Sequence, residues 1–467
     1  GAGEQGSLVV REMQTNPQLE LEPVAFIDDD PAKLGTRIQG LPVLGRSEDL
    51  ARVVEQQRVQ QIIVAMPSAP LVRQRELLAM GQATGRATFT LPGMYELLAG
   101  FKSVHRLPQV DIQQLLQREP IEIDRSEVER SLRGALVLVT GAGGSIGSEL
   151  CRQIARCEPR EIILLGHGEN SIFEIGLDLK LAFPRLVTRP VIADVREAAR
   201  IEEVVGQYQP DIIFHAAAHK HVPFMQNNAA EALANNVLGT RNVLEAAAKH
   251  GVARFVLISS DKAVHPSSTM GATKRLAELL TIATAQRTGR AYMAVRFGNV
   301  LGSRGSVIPI FQRQIASGGP LTVTHPRMER YFMTIPEAVQ LVLQASVLGR
   351  GAEVFVLDMG KPVKIVDLAR EMLKLSGLEP GRDIDIVFSG IRPGENGSGA
   401  QFMAQEGDRR TKHEKIFVAP PSAPVNGPAL AQAVLDLIEQ AQTFDRTLSQ
   451  AVLEPDGQEI LRLICRT

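Results

Sequence analysis

Between Ala135 and Ile258 the apolar residues gather into five short runs: Ala135–Val139, Glu161–Leu165, Val191–Val195, Asp211–His215 and Arg254–Ile258. Runs of this length with little alternation predict strands covered on both faces. The stretches between them carry a helical period; Leu150, Ile154 and Ala155 share one face of a helix within Ser148–Arg156. Strands alternating with helices imply βαβ units. The expected fold is α/β, a doubly wound parallel (Rossmann) sheet with its ligand at the carboxyl ends of the strands. Two more strands are predicted upstream, at Val24–Ile27 and Gln61–Met66, with a helix over Ser7–Met13 before them. Near the other end Leu430, Val434, Leu437 and Ile438 share a helical face within Ala429–Leu463, a packing element.

Composition narrows the class. The 467 residues suggest roughly three domain-sized units, or two with one large. With 44% hydrophobic and 22% charged residues the chain is globular, which excludes disorder. Basic and acidic residues, 51 and 52, nearly cancel. That balance argues against nucleic acid as a partner and against a broad anionic-membrane footprint. The three cysteines, Cys151, Cys157 and Cys465, are odd in number and lack metal spacing. They indicate a reducing compartment, no disulfide framework and no metal site. No apolar run reaches the ~18 residues of a membrane span. The polar stretch 108–133 is expected to connect an N-terminal domain, 1–107, to a main domain, 134–420. The Pro/Ala-rich stretch Pro420–Pro428 leads into a C-terminal helical segment, 421–467.

The first candidate chemistry follows the first run. Thr140-Gly141-Ala142-Gly143-Gly144-Ser145-Ile146-Gly147 places glycines at every third position before a helix. Gly141, Gly144 and Gly147 permit a tight turn and close backbone approach. Ser145 and Ile146 open the helix, whose free N–H groups suit a pyrophosphate. A similar form, Gly1-Ala2-Gly3-Glu4-Gln5-Gly6, opens the chain without the strand it needs, so that strand is expected upstream. Asp28-Asp29-Asp30, about twenty residues on, suits a dinucleotide ribose and marks a second Rossmann-like domain.

The other strand ends extend the pattern. The second run closes in Gly166-His167-Gly168-Glu169, and His167 and Glu169 are assigned to the cofactor. After the third, Asp194, beside Val195, can accept the adenine amino group. Ala216, Ala217 and Ala218 after the fourth let a cofactor lie against backbone. The reacting groups are expected after the fifth, in Ser259-Ser260-Asp261-Lys262-Ala263-Val264. Downstream, Met270-Gly271-Ala272-Thr273-Lys274-Arg275 opens a helix, with Met270 and Lys274 on one face.

These motifs resemble one family closely. TGAGGSIGSEL from Thr140, FHAAAHKHVP from Phe214, NNVLGT from Asn235, SSDKAV from Ser259, MGATKR from Met270, RFGNVLGS from Arg296, RYFMTIPEA from Arg330, LDMGKPVKIVDLA from Leu357 and RPGE from Arg392 are similar to stretches of the bacterial polysaccharide-biosynthesis nucleotide-sugar 4,6-dehydratases. That family belongs to the extended short-chain dehydrogenases. The likeness is to its large, membrane-anchored members, in which Met stands where a catalytic Tyr is usual four residues before Lys. FIDDDPAKLG from Phe26 resembles their N-terminal Rossmann-like domain. The resemblance implies NAD as cofactor, with Asn236 in its site, and a UDP-sugar as substrate, bound mainly by a small α/β part within 299–330 and 360–420. It also implies a homo-oligomer and, in the full-length protein, a membrane segment before this fragment that holds it at the cytoplasmic face of the inner membrane. Four departures stand out: His219 for an aromatic residue, Gly166 for an acid (leaving NADP open), Arg304 for a small residue, and Asn396–Ala404, which predicts a rebuilt rim of the substrate pocket.

A 4,6-dehydratase needs an acid and a base side by side with separated proton affinities. The resemblance makes Asp261 the acid for the C6 oxygen of the sugar and Lys262 the base at C5. Burial would favour a protonated carboxyl and a neutral amine. Met270 has no useful basicity, so Ser260 is the candidate to take the C4 hydroxyl proton. Lys274 is expected to hold the nicotinamide ribose. Lys220, Asn299, Arg330, Arg392 and Glu395 are implied as substrate contacts. His221 and His265 read as loop residues. The rival readings are a nucleotide-sugar 4-epimerase, which needs no acid at C6, and a non-catalytic NAD-binding sensor, suggested by Met270.

Overall fold

The computed structural model describes residues 1–15, 21–66, 69, 71–90, 125–376, 378–392 and 409–420, with scattered positions of a helix between 427 and 437. The chain divides into two compact units. One comprises 1–118, 311–322 and 366–387; the other comprises 119–310, 323–365 and 388–467. The segments 311–322 and 366–387, expected within the substrate-binding part of the main domain, therefore group with the first unit. Residues 108–124 of the expected connector lie outside the described residues.

In the first unit α1 (Glu4–Thr15) precedes β1 (Phe26–Ile27), β2 (Arg37–Ile38) and β3 (Leu41–Gly45). Then come α2 (Leu50–Gln56), β4 (Gln61–Val64), α3 (Leu71–Ala83) and β5 (Ala87–Thr90). β1 pairs parallel with β3, β2 antiparallel with β3, and β4 parallel with β5. Ala2, Val10, Phe26 and Val43 form its core. The acids expected to face a ribose brace the fold instead. Asp28 accepts the Ala2 N–H at 2.6 Å, and Asp29 accepts the Ser47 N–H at 2.8 Å and the Arg73 guanidinium at 2.7 Å.

The second unit opens with α4 (Arg125–Leu132), β6 (Leu136–Thr140), α5 (Ser145–Ala155), β7 (Glu161–Gly166), α6 (Glu169–Ala182), β8 (Thr188–Ile192), α7 (Ala198–Tyr208) and β9 (Ile212–His215). Short helices α8 (Val222–Asn227) and α9 (Ala229–Leu233) and a π-helical turn (Ala234–Leu238) lead into α10 (Gly239–Lys249) and β10 (Arg254–Ile258). α11 (Thr269–Thr288), β11 (Ala291–Arg296), β12 (Asn299–Val300), α12 (Val307–Ala316), β13 (Leu321–Val323), β14 (Glu329–Met333), α13 (Ile335–Leu348) and β15 (Val354–Leu357) follow. Last in the chain come β16 (Pro362–Lys364), α14 (Ile365–Leu375), β17 (Ile386–Phe388), β18 (Arg409–Arg410) and β19 (Ile416–Val418); most of α12, β13, α14 and β17 belongs to the first unit.

Nine of these strands form one sheet in the order β18-β19-β15-β11-β10-β9-β6-β7-β8. From β15 to β8 all pairings are parallel, and β19 and β18 add an antiparallel edge. The expected doubly wound Rossmann sheet is thus present. Its order reverses between β6 and β9, the place where such sheets open a crevice for ligand. β6, β9 and most of β7 and β10 are buried, as their unbroken apolar runs require.

β8 starts at Thr188 rather than at the expected Val191 and ends at Ile192, so Asp194 and Val195 lie in the loop beyond it. It is an edge strand with much of its surface exposed, and its polar first half breaks the apolar run. β11 and β15 add two parallel strands beyond the five predicted runs. Leu430 and Val434 pack into the core as their helical spacing implied; Ile438 lies outside the described residues. Cys151 and Cys157 are buried free thiols. Among the described residues no helix is long and apolar enough to cross a membrane.

Candidate active site

The carboxyl ends of β6, β9, β10 and β11 carry most of the expected site residues. Gly141, with φ +68°, turns the chain out of β6 so closely under the next loop that a Cβ there would lie 2.8 Å from the Ala216 carbonyl carbon and the Ala217 nitrogen. At Gly147 a Cβ would lie 2.1 Å from the Gly141 oxygen. Both positions exclude a side chain. Gly144 begins α5 with extended backbone and no side-chain cap. The first N–H groups of the helix, at Ser145 and Ile146, remain suited to an anion.

Arg304, one of the four departures from the family pattern, covers this turn. The Arg304 N–H donates to Ser145 Oγ at 3.1 Å, and its guanidinium reaches the Gly143 carbonyl at 3.4 Å and Glu174 at 3.1 Å. Arg304 thus joins the loop after β12 to the glycine turn.

At the far end of the crevice Asp194 is bonded to Arg196. Its carboxylate accepts the Arg196 N–H at 2.9 Å and the Arg196 guanidinium at 2.6 Å. These bonds hold the carboxyl below its ordinary range. Arg196 continues to Glu231 at 3.0 Å, and Glu231 to His219 at 3.1 Å. The substituted His219 is therefore one end of a polar chain that ties the loop after β9 to the loop after β8. Its N–H donates to Asn236 Oδ1 at 2.7 Å, from the π-helical turn; Asn236 in turn donates to Thr273 on α11 at 3.0 Å. His167 and Glu169 are exposed past the end of β7. His215, wholly buried between Thr140 at 2.7 Å and Thr240 at 3.0 Å, is pushed down to about 3 by burial, so its ring is neutral.

The expected reacting groups meet in one turn past β10. Lys262 Nζ donates to Asp261 Oδ1 at 2.9 Å and to Asn299 Oδ1 at 3.1 Å, and Ser260 Oγ donates to the same Asp261 oxygen at 2.8 Å. The Asp261 side chain is 4% exposed and that of Lys262 29%. The turn holds because Ser260 Oγ also accepts the Lys262 N–H at 3.3 Å and Asp261 N–H reaches the Phe297 carbonyl beyond β11 at 3.1 Å. The carboxyl is therefore buried and the amine partly exposed.

Met270 packs with Val222, Met225 and Ala232 in a small apolar cluster at the start of α11. One turn later Lys274 is buried, its Nζ 2.8 Å from the Ile258 carbonyl. Burial lowers the ammonium to about 8, against the opposing pull of Glu278. Below pH 8 the folded and unfolded chains both keep this proton and the penalty of burial is complete. Between about 8 and the ordinary 10.5 only the unfolded chain holds it, so this group adds stability as pH rises. In urea unfolding at pH 7 and pH 10, the wild-type chain should gain stability relative to Lys274→Met at the higher pH. A constant difference would contradict the buried, weakly held proton.

Of the implied substrate contacts, Lys220 donates to Ser303 at 3.2 Å, and burial draws its ammonium below the usual range. Lys220 and Lys262 thus both reach the 299–303 segment. Arg330, on β14 beside β12, donates to the Glu329 carbonyl at 2.8 Å. Arg392 lies near enough to His221 to help lower the pKa of that ring, after burial and Lys220. Glu395 and the segment 396–404 lie outside the described residues.

Residues 137–421 match the family model described as polysaccharide biosynthesis protein, and residues 1–79 match a CoA-binding domain. The chain is 49% identical over 420 residues to capsular polysaccharide biosynthesis protein CapD of Staphylococcus aureus, covering 89% of this chain and 70% of that protein. To the probable polysaccharide biosynthesis protein EpsC of Bacillus subtilis it is 50% identical over 396 residues, 85% of this chain and 66% of that one. A UDP-glucose 4-epimerase of Rickettsia akari is 36% identical over 267 residues, 56% and 75% of the two chains. Among solved structures, Pen from Bacillus thuringiensis matches with a TM-score of 0.57 and 31% identity over 63% of this chain and 90% of its own. The family match runs through well over half of the sequence and takes in the glycine turn, the Asp261–Lys262 turn and the 299–303 segment; the chain belongs to the polysaccharide biosynthesis protein family.

Proposed function

We propose that this chain is a nucleotide-sugar 4,6-dehydratase that acts, with bound NAD, on UDP-N-acetylglucosamine or a related UDP-hexose. The broader class, an enzyme that modifies nucleotide sugars for polysaccharide synthesis, follows from the family and its relatives. One observation carries the finer reading: a buried carboxyl and an amine in contact, with Ser260 and Asn299 around them, directly past β10.

A dinucleotide fits the crevice. Gly141 and Gly147 keep side chains out of its path, α5 offers uncapped N–H groups to a diphosphate, and Lys274 stands by for a ribose. NAD bound there would take a hydride from sugar C4 and return it at C6. The protein supplies the proton handling. Ser260 takes the C4 hydroxyl proton while its own passes to the Asp261 oxygen it is bonded to. The C4 carbonyl acidifies C5, and the Lys262 amine removes the C5 proton. Asp261 gives the proton it took from Ser260 to the C6 oxygen, which leaves as water, and Lys262 returns a proton to C5 as the hydride reaches C6. Lys220, Arg330 and Arg392 would meet the substrate diphosphate.

A 4-epimerase is the second reading, favoured by the similarity to the Rickettsia akari 4-epimerase. It has no use for an acid at C6. Incubation with UDP-N-acetylglucosamine in deuterated water, followed by NMR, separates the two. A 4-keto-6-deoxy sugar carrying deuterium at C5 supports elimination; a C4 epimer without C5 deuterium refutes it.

A further inference from the structure

Behind the Asp261–Lys262 turn lies a charged group with no part in the chemistry above. Glu278, on α11, is completely buried. Its carboxylate accepts Ser259 Oγ at 2.6 Å, Arg296 Nε and Nη2 at 2.7 and 2.6 Å, and Arg275 at 3.0 Å. Ser259 is the first residue past β10 and Arg296 the last of β11. Glu278 therefore ties together the ends of the two strands from which Ser260, Asp261, Lys262 and Asn299 project. Met270, Lys274 and Glu278 are spaced four residues apart on one face of α11. Lys274 holds the Ile258 carbonyl and Glu278 the Ser259 hydroxyl, so one helix stripe grips two successive residues of β10's end.

A buried ion pair is weak support for stability, since apolar residues of similar volume often serve as well. Its place here points to geometry. We propose that Glu278 and Ser259 are positioning residues: the bond between them sets the end of β10 so that the carboxyl and amine two and three residues on keep their reactive arrangement. The inference rests on the dehydratase reading of that turn.

Removing Glu278 would take the carboxylate away from the buried Arg296 guanidinium at the cost of folding, so the test uses Ser259→Ala, which deletes only one hydroxyl. Ser346→Ala serves as control; that serine is equally buried but bonds within its own helix, at the Leu343 carbonyl, 2.6 Å away. For Ser259→Ala, kcat should fall about tenfold with KM within about twofold, the size expected for a slightly misplaced reacting group. Hydrogen exchange at the Asp261, Ala263 and Val264 amides should speed up while α11 stays protected. Ser346→Ala should show neither change. Wild-type kcat in Ser259→Ala, or unchanged exchange at those amides, would overturn the positioning role. Absence of nucleotide-sugar turnover in the wild-type protein would instead overturn the functional reading, and amide exchange would still decide whether Ser259 holds the turn.

Discussion

Lys262→Ala is expected to slow deuterium incorporation at sugar C5, and product formation with it, by about 10²–10⁴-fold, the usual worth of a positioned general base. Lys262 is the one amine bonded to the Asp261 carboxyl among the described residues. Lys274 cannot replace it, since its Nζ is buried and bonded to the Ile258 carbonyl. Oxidation at C4 precedes the lost step. Reduced nicotinamide should therefore build up in a single turnover, read as absorbance near 340 nm in the variant and absent at steady state in the wild type. Met270→Leu gives the contrast. Its side chain sits in an apolar cluster with Val222, Met225 and Ala232, and a swap that conserves volume should change turnover by less than about threefold. If the two variants lose activity equally, Lys262 is not the base.

The parts of this site that could be read from the sequence are those set by local chemistry. An unbroken apolar run marks a strand buried on both faces, and the loop after it must then reach the carboxyl edge of the sheet. That reasoning located the Gly141–Gly147 turn, Ala216–Ala218 and Ser260–Lys262. It failed at β8, where an edge strand with a polar start shifted the expected run by three residues. Pairings between distant segments were not legible. Nothing local to Asp194 shows that Arg196 folds back on it and reaches Glu231 on α9. Glu278 lies within a helix whose even mixture of apolar and polar residues gives no hint that it faces Arg296 and Ser259. Arg304 was visible only as an oddity; its contacts with Gly143 and Ser145 come from a loop more than a hundred residues away in the chain.

Gly141→Ala tests the cofactor cradle without touching a reacting group, and its cost can be reasoned from two sources. The residue has φ +68°, a conformation that costs a side chain roughly 1–2 kcal/mol. The new Cβ would also lie 2.8 Å from backbone atoms of Ala216 and Ala217, which cannot rotate away; such overpacking costs about 1–3 kcal/mol. Together about 2–5 kcal/mol should be lost, less than the 5–15 kcal/mol of a typical domain, so the variant should fold with a lower Tm. Relief requires the loops after β6 and β9 to part. That shift moves the Ser145 and Ile146 N–H groups from the diphosphate, and NAD affinity should drop by about tenfold to a hundredfold, as read by fluorescence titration. Gly176→Ala provides the comparison: it lies inside α6, its Cβ would meet nothing nearer than Leu164 Cδ1 at 3.9 Å, and it should gain about 0.5–1 kcal/mol. Should Gly141→Ala instead bind NAD as tightly as the wild type while losing stability, the close approach of these two loops would serve packing alone, and the dinucleotide would have to lie elsewhere.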